Sequence, residues 1–220
     1  MDDKDIRDIN ELSNIMKNTS IYVSDENLGH LITNCEYIAN STSTKKKDIS
    51  SLSYLIDIEM SQSECIRLGI GCEKLISDLI MKYANVINIK KKNEKDKKEK
   101  DHLFMDRDNK VIYYAEIKSN INLDTEKSKI TYKKCQEIVS ELKEEYPEYE
   151  IKWCLVALRY LEYDNIPNTI KSKYSNISEN LYGINDYLKL LDIHLIFTHE
   201  RYKTFLNNIV KSMFKTQYLY

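Results

Sequence analysis

DHLFMDRDNKVIYYAEIKS, residues 101–119, decides the fold. Two runs rich in branched and aromatic residues, DHLFMD (101–106) and VIYYAEIKS (111–119), flank the polar RDNK (107–110). Branched and aromatic side chains suit a pleated surface, and Asp108 and Asn109 are turn formers, so the stretch predicts an antiparallel hairpin. Side chains alternate faces along a strand, which puts Glu116 and Lys118 on one face and Ile117 on the other. Asp101, opening the first run, is expected to converge with them. Two carboxylates held close repel when both are ionised, and a divalent cation relieves that repulsion while holding water and a phosphate oxygen. A lysine beside them orients or deprotonates an attacking water and stabilises the charge that develops on phosphorus. The chemistry this implies is metal-dependent hydrolysis of a phosphodiester.

A Glu-x-Lys after a strand is common by chance, and most such pairs are solvated neighbours on a sheet face. Context strengthens this one. WCLVAL (153–158) is apolar throughout and reads as an interior strand, and an acidic residue opens the partner strand at hairpin distance. Asp101 followed fifteen positions on (116 − 101) by Glu116-Ile117-Lys118 resembles the PD-(D/E)xK nuclease superfamily, to which most type II restriction endonucleases belong. SNINLDTEKSK (119–129) resembles a run that follows the catalytic lysine in some of those enzymes, and Lys100 stands where the motif's name has proline. The similarity covers roughly residues 70–160.

The resemblance implies an α/β (α+β) fold with a restriction-endonuclease-like core: a mixed central β-sheet flanked by helices, with a helical N-terminal region. It implies a Mg2+-dependent endodeoxyribonuclease, with Asp101 and Glu116 on the metal and Lys118 on the water. In many of these nucleases a preceding helix adds an acidic ligand. Glu73, near a helix start in GCEKLI (71–76), is the match, with Glu64 and Glu59 as alternatives. Glu73 equally suits the positive end of the helix dipole. Cutting both strands of a palindromic duplex DNA site implies a homodimer. The rival readings are a structure-selective repair or junction nuclease on the same core, and a DNA- or protein-binding module without catalysis.

At 220 residues the chain suits one domain: a mainly helical region over 1–65, a catalytic core over 66–161, and a recognition loop with a closing strand and helix over 162–220. Its 42% hydrophobic and 31% charged content places it among folded rather than disordered proteins. A net charge of −2 argues against a nonspecific DNA coat protein and leaves DNA affinity to local basic clusters. The five cysteines, Cys35, Cys65, Cys72, Cys135 and Cys154, form no CxxC pair, and the four histidines lack ligand spacing. This argues for reduced, buried thiols and against structural zinc. No apolar stretch reaches membrane-spanning length and the amino terminus lacks an apolar h-region, so a cytoplasmic protein away from membranes is expected. Neither a phosphate-cradling glycine loop nor a methyltransferase-like glycine motif is present.

Apolar spacing predicts helices over 3–17 and 25–39, a polar loop over 40–48, and helical pattern again over 49–62. Gly69 and Gly71 punctuate the chain before an amphipathic face of Cys72, Leu75, Ile76, Leu79, Ile80 and Tyr83. A strand over 86–89 leads into the charged run 90–100, read as a solvated loop or as the rim of a DNA cleft. His102 faces away from Asp101 and is assigned a structural role. A helix capped by Asp124 should run to about Glu145, with Ile130, Cys135, Ile138, Val139 and Leu142 as its apolar face. Lys127, Lys129, Lys133 and Lys134 make its early turns basic and, with Ser119 and Asn120, are DNA-binding candidates. After Pro147, a strand over 150–161 returns parallel to the hairpin through a right-handed crossover. The Asn-, Ser-, Tyr- and Lys-rich tract 163–187 suits either a sequence-reading loop, with Lys171, Lys173 and Asn176 as DNA-binding candidates, or an irregular surface connection. A final strand over 190–198 and a helix over 200–215, burying Tyr202, Phe205, Ile209 and Phe214, close the chain.

Overall fold

The computed structural model describes residues 52–56, 60–90, 100–122, 125–193 and 195–214. The expected helices over 3–17 and 25–39, the loop 40–48, most of the charged run 90–100, and Cys35, Glu59, Asp124 and His194 lie outside these residues. The chain divides into two compact units, one of Ser77–Ile193 and one holding the residues on either side of it. Among the described residues no helix is long and apolar enough to cross a membrane.

The central unit is built on a five-stranded mixed sheet of β1 (Ile87–Asn88), β2 (His102–Asp106), β3 (Val111–Lys118), β4 (Glu150–Ala157) and β5 (Leu181–Tyr182), in that order across the sheet. The first two pairings are antiparallel and the last two parallel. The hairpin forms as the sequence predicts, with His102 opposite Ala115 and Asp106 opposite Val111. Asp106 organises its turn, accepting bonds from the Asn109 backbone N–H (2.9 Å) and side-chain amide (2.7 Å), while Lys110 takes a left-handed φ of 53°. Asp108 instead accepts a 2.7 Å bond from Asn85, outside the turn.

The long helix α2 (Thr125–Glu145) makes the crossover from β3 to β4. Its Cys135, Ile138, Val139 and Leu142 pack on Leu103, Met105, Ile112 and Tyr114 of the hairpin. Full burial of such side chains stabilises by about 1.5–3 kcal/mol each. Ile130 does not belong to that face and is 62% exposed; Ser128 and Thr131 are buried in the early turns and continue the spacing of Cys135 and Ile138. On the opposite sheet face His102 is buried, stacks on Tyr187 and meets its hydroxyl at 3.0 Å through Nδ1.

The strand expected over 150–161 ends at Ala157. The tract 163–187 is not an irregular connection. It holds 3-10 segments at Tyr163–Asn165 and Ser172–Asn180, the short helix α3 (Asn168–Lys171), β5 and the start of α4 (Ile184–Leu190). Ile166, Ile170, Tyr174 and Ile177 from this tract bury themselves against Ile121, Leu155 and Ala157. Its polar composition hides a second core.

In the other unit, the pattern over 49–62 yields a 3-10 turn at Leu52–Ile56, and the long helix α1 (Gln62–Tyr83) begins after it. Gly69 and Gly71 lie inside α1 and do not interrupt it. Each costs about 1 kcal/mol in a helix interior, but buried Cys65, Leu68, Cys72, Leu75 and Ile76 hold the helix through them. The division between the units falls within α1, after Ile76. Among the described residues of 190–198 no strand forms: a turn with Asp192 at φ 57° follows α4, and residues 195–198 run without regular structure. Leu195 and Phe197 are buried and Ile196 is 65% exposed, so strand-like alternation persists without a ladder among the described residues. Helix α5 (His199–Phe214) buries Tyr202, Phe205 and Ile209, with Tyr202 and Phe205 packed on Phe197. The side chain of Phe214 lies outside the described residues.

Candidate active site

Glu116 sits near the end of β3 on the face that α2 covers, and only 1% of it is exposed. A buried carboxylate needs compensation, and four hydrogen bonds from three side chains supply it. Lys118 Nζ reaches Oε1 at 2.5 Å, Lys134 Nζ reaches Oε1 at 2.9 Å and Oε2 at 2.7 Å, and the Tyr114 hydroxyl donates to Oε2 at 3.1 Å. Period-two geometry brings Tyr114, Glu116 and Lys118 to the same face. Lys134 arrives from α2, next to the buried Cys135.

Asp101 precedes β2 by one residue, and extending the hairpin register by one step places it opposite Glu116. Its Oδ2 accepts the Ile117 backbone N–H at 2.7 Å, continuing the ladder with a side chain where the backbone pairing ends. Asp101, Glu116 and Lys118 thus come together as the sequence predicts, with Lys134 as a fourth member.

The charges are strongly coupled. Burial, and next the negative charge of Glu116, push the Asp101 carboxyl above its ordinary range. Burial also works against ionised Glu116, but Lys118 and Lys134 together outweigh it and hold that carboxyl below its usual value. Lys118 is desolvated too, yet the attraction of Glu116 prevails and raises its ammonium. The depressed Glu116 stabilises the fold above the ordinary carboxyl value of about 4.3, and this is lost as pH falls through its folded value. The raised Lys118 contributes below about 10.4, lost as pH rises through its folded value. Asp101 runs opposite to Glu116: it favours folding when protonated, below about 3.9, and that contribution disappears as pH rises through its raised value.

The donor chemistry fits a hard divalent cation such as Mg2+, which takes one or two carboxylates and completes its shell with water and substrate phosphate. The observation that bears on the fit is the placement of Asp101 opposite Glu116, its carboxyl raised first by burial and then by the Glu116 charge; added positive charge relieves the second of these. Lys118 and Lys134 engage both Glu116 oxygens, so coordination there requires an ammonium to withdraw; their side chains are 31% and 28% exposed and reach solvent. Among the described residues no group of three or more His, Cys, Asp or Glu is placed to hold a metal. Glu73 is half-buried on α1, within the other compact unit, where its charge acts on the Cys72 thiol. Glu64, also on α1, accepts bonds from the Ser61 backbone N–H (2.6 Å) and hydroxyl (2.8 Å) at that helix's start.

The DNA-binding candidates are spread more widely. Lys127, Lys129 and Lys133 are exposed on the first half of α2, Lys133 lying 3.9 Å from Glu137. Ser119 and Asn120 are half-buried just past β3, and Asn120 accepts the Asn122 backbone N–H at 2.8 Å. Lys171 sits over the Tyr163 ring at 4.1 Å, Lys173 donates to Asn122 at 3.1 Å, and Asn176 is exposed. Ser128 on α2 donates to the Lys173 carbonyl at 3.1 Å, joining this segment to the basic end of α2.

By sequence alone Lys134 is expected among the phosphate contacts and Tyr114 has no assigned role. The signal for Lys134 was its helical spacing, three residues after Thr131 and four before Ile138, on the side of α2 that turns to the sheet. The signal for Tyr114 was its position two residues before Glu116. Comparison with protein-family models, with curated proteins and with solved structures found no match.

Proposed function

We propose that this chain is a Mg2+-dependent endodeoxyribonuclease of the type II restriction kind, acting as a homodimer on a short duplex site. The observation that carries the reading is the convergence of Asp101, Glu116 and Lys118 at one end of a mixed sheet. Asp101 and Glu116 would hold the cation, which when bound supplies Lewis-acid stabilisation of the phosphodiester and a more acidic water. Lys118, whose ammonium Glu116 favours, would orient or activate the attacking water and offset charge developing on phosphorus. The exposed lysines of α2, the helix that follows β3, suit backbone phosphates and carry no sequence information.

Lys118→Ala tests the assignment. It lowers the cleavage rate of duplex DNA by about 10²-fold at saturating Mg2+, measured as initial rates on a supercoiled plasmid. An unchanged rate removes Lys118 from the reaction. The competing reading, a module in which these charges are purely structural, draws on the occupation of Glu116 by two ammonium groups. It predicts no cleavage by the parent protein at any Mg2+ concentration.

A further inference from the structure

Of the lysines on α2, Lys134 is turned toward the sheet, whereas Lys127, Lys129, Lys133 and Lys143 are exposed. Its ammonium spans both Glu116 oxygens, at 2.9 and 2.7 Å, while Lys118 takes Oε1 alone. With both carboxylates ionised, the four side chains Asp101, Glu116, Lys118 and Lys134 sum to zero charge. A divalent cation entering this group meets a carboxylate whose two oxygens already carry positive partners. Lys118 must remain to serve the water, so Lys134 is the partner that has to yield. Its seat on α2, one residue from buried Cys135, fixes its backbone, and the long side chain can swing its ammonium outward.

We propose that Lys134 is a positioning residue that competes with the divalent cation for Glu116 and so sets how tightly the site takes metal. This rests on the metal-site reading above. Held by Lys134 at both oxygens, Glu116 is open to a cation only when that ammonium gives way. Once displaced, the ammonium stands beside the site, where an incoming phosphate oxygen is its natural partner.

The test uses metal alone, without DNA. Mn2+ is titrated into the full chain at pH 8 and free ion is counted by electron paramagnetic resonance, with circular dichroism confirming that each variant is folded. Removing one positive charge from beside Glu116 should tighten binding in Lys134→Met on the order of tenfold after solvent screening. Lys134→Arg, which restores the charge, returns affinity to near the parent value, and Glu116→Gln loses binding. A purely structural Lys134 leaves Mn2+ affinity unmoved or weakens it in Lys134→Met; with binding still lost in Glu116→Gln, that outcome overturns the role of Lys134 and spares the metal site. Absence of Mn2+ binding in both parent and Lys134→Met overturns the metal site, and the proposal with it.

Discussion

Replacing Asp101 by asparagine lowers Mg2+-dependent cleavage by at least about 10³-fold, ~4 kcal/mol of transition-state stabilisation, and at the same time raises the thermal midpoint at neutral pH. The two effects have one cause. Asp101 is half-buried opposite Glu116, and burial with that neighbouring charge makes its ionised form unfavourable. Asparagine keeps an oxygen for the Ile117 N–H and removes the repulsion. It also removes one of the two carboxylates available to a cation. The gain in midpoint should shrink as the buffer is taken toward pH 4, because Asp101 then protonates and the parent protein sheds the same repulsion. Melting curves at pH 7.5 and pH 4, with plasmid cleavage rates, check both halves. A lower midpoint at pH 7.5, or cleavage at the parent rate, contradicts the placement of Asp101. Residues kept for chemistry at a cost in stability show this pattern, whereas a structural ion pair does not.

Gly183→Val destabilises the protein by about 3 kcal/mol, lowering the midpoint by ~10 °C. Gly183 caps α4 with φ −81°, a conformation open to any residue, so the cost is purely steric. A Cβ there would lie 2.4 Å from the Glu162 nitrogen and 2.5 Å from the Leu161 carbonyl carbon and oxygen. These are backbone atoms and cannot rotate aside. The same two segments are fastened by Ile184 N–H to the Tyr160 carbonyl (3.0 Å) and Asn185 N–H to the Leu161 carbonyl (2.8 Å), so separating them weakens bonds on either side. Thermal melting of the variant decides it; a midpoint within about 2 °C of the parent means the backbone gives way there without appreciable cost.

The hairpin and three of the four charged residues were legible because they lie within eighteen consecutive residues, where strand alternation alone fixes which side chains meet. Lys134 was not, because its contact with Glu116 depends on how α2 lies across the sheet. Gly69 and Gly71 misled because local propensity is weak against a buried helix face. The tract 163–187 misled for the opposite reason: Ile166, Ile170, Tyr174 and Ile177 recur every three or four residues, but frequent polar residues between them obscure the spacing. The expected last strand shows the limit of alternation. Leu195, Ile196 and Phe197 alternate in burial as a strand would, but a strand also needs a partner. The sheet's fifth strand is instead the two-residue β5, too short to leave a periodic signature.

Incubating the purified protein with unmethylated phage DNA, once with Mg2+ and once with EDTA, tests the nuclease assignment most directly. Discrete bands that appear with Mg2+ and vanish with EDTA are the predicted result, and their mapped ends give the recognition site. Intact DNA under both conditions, from protein that circular dichroism shows to be folded, would contradict a site-specific nuclease and leave the Asp101, Glu116, Lys118 and Lys134 cluster as a structural charge network.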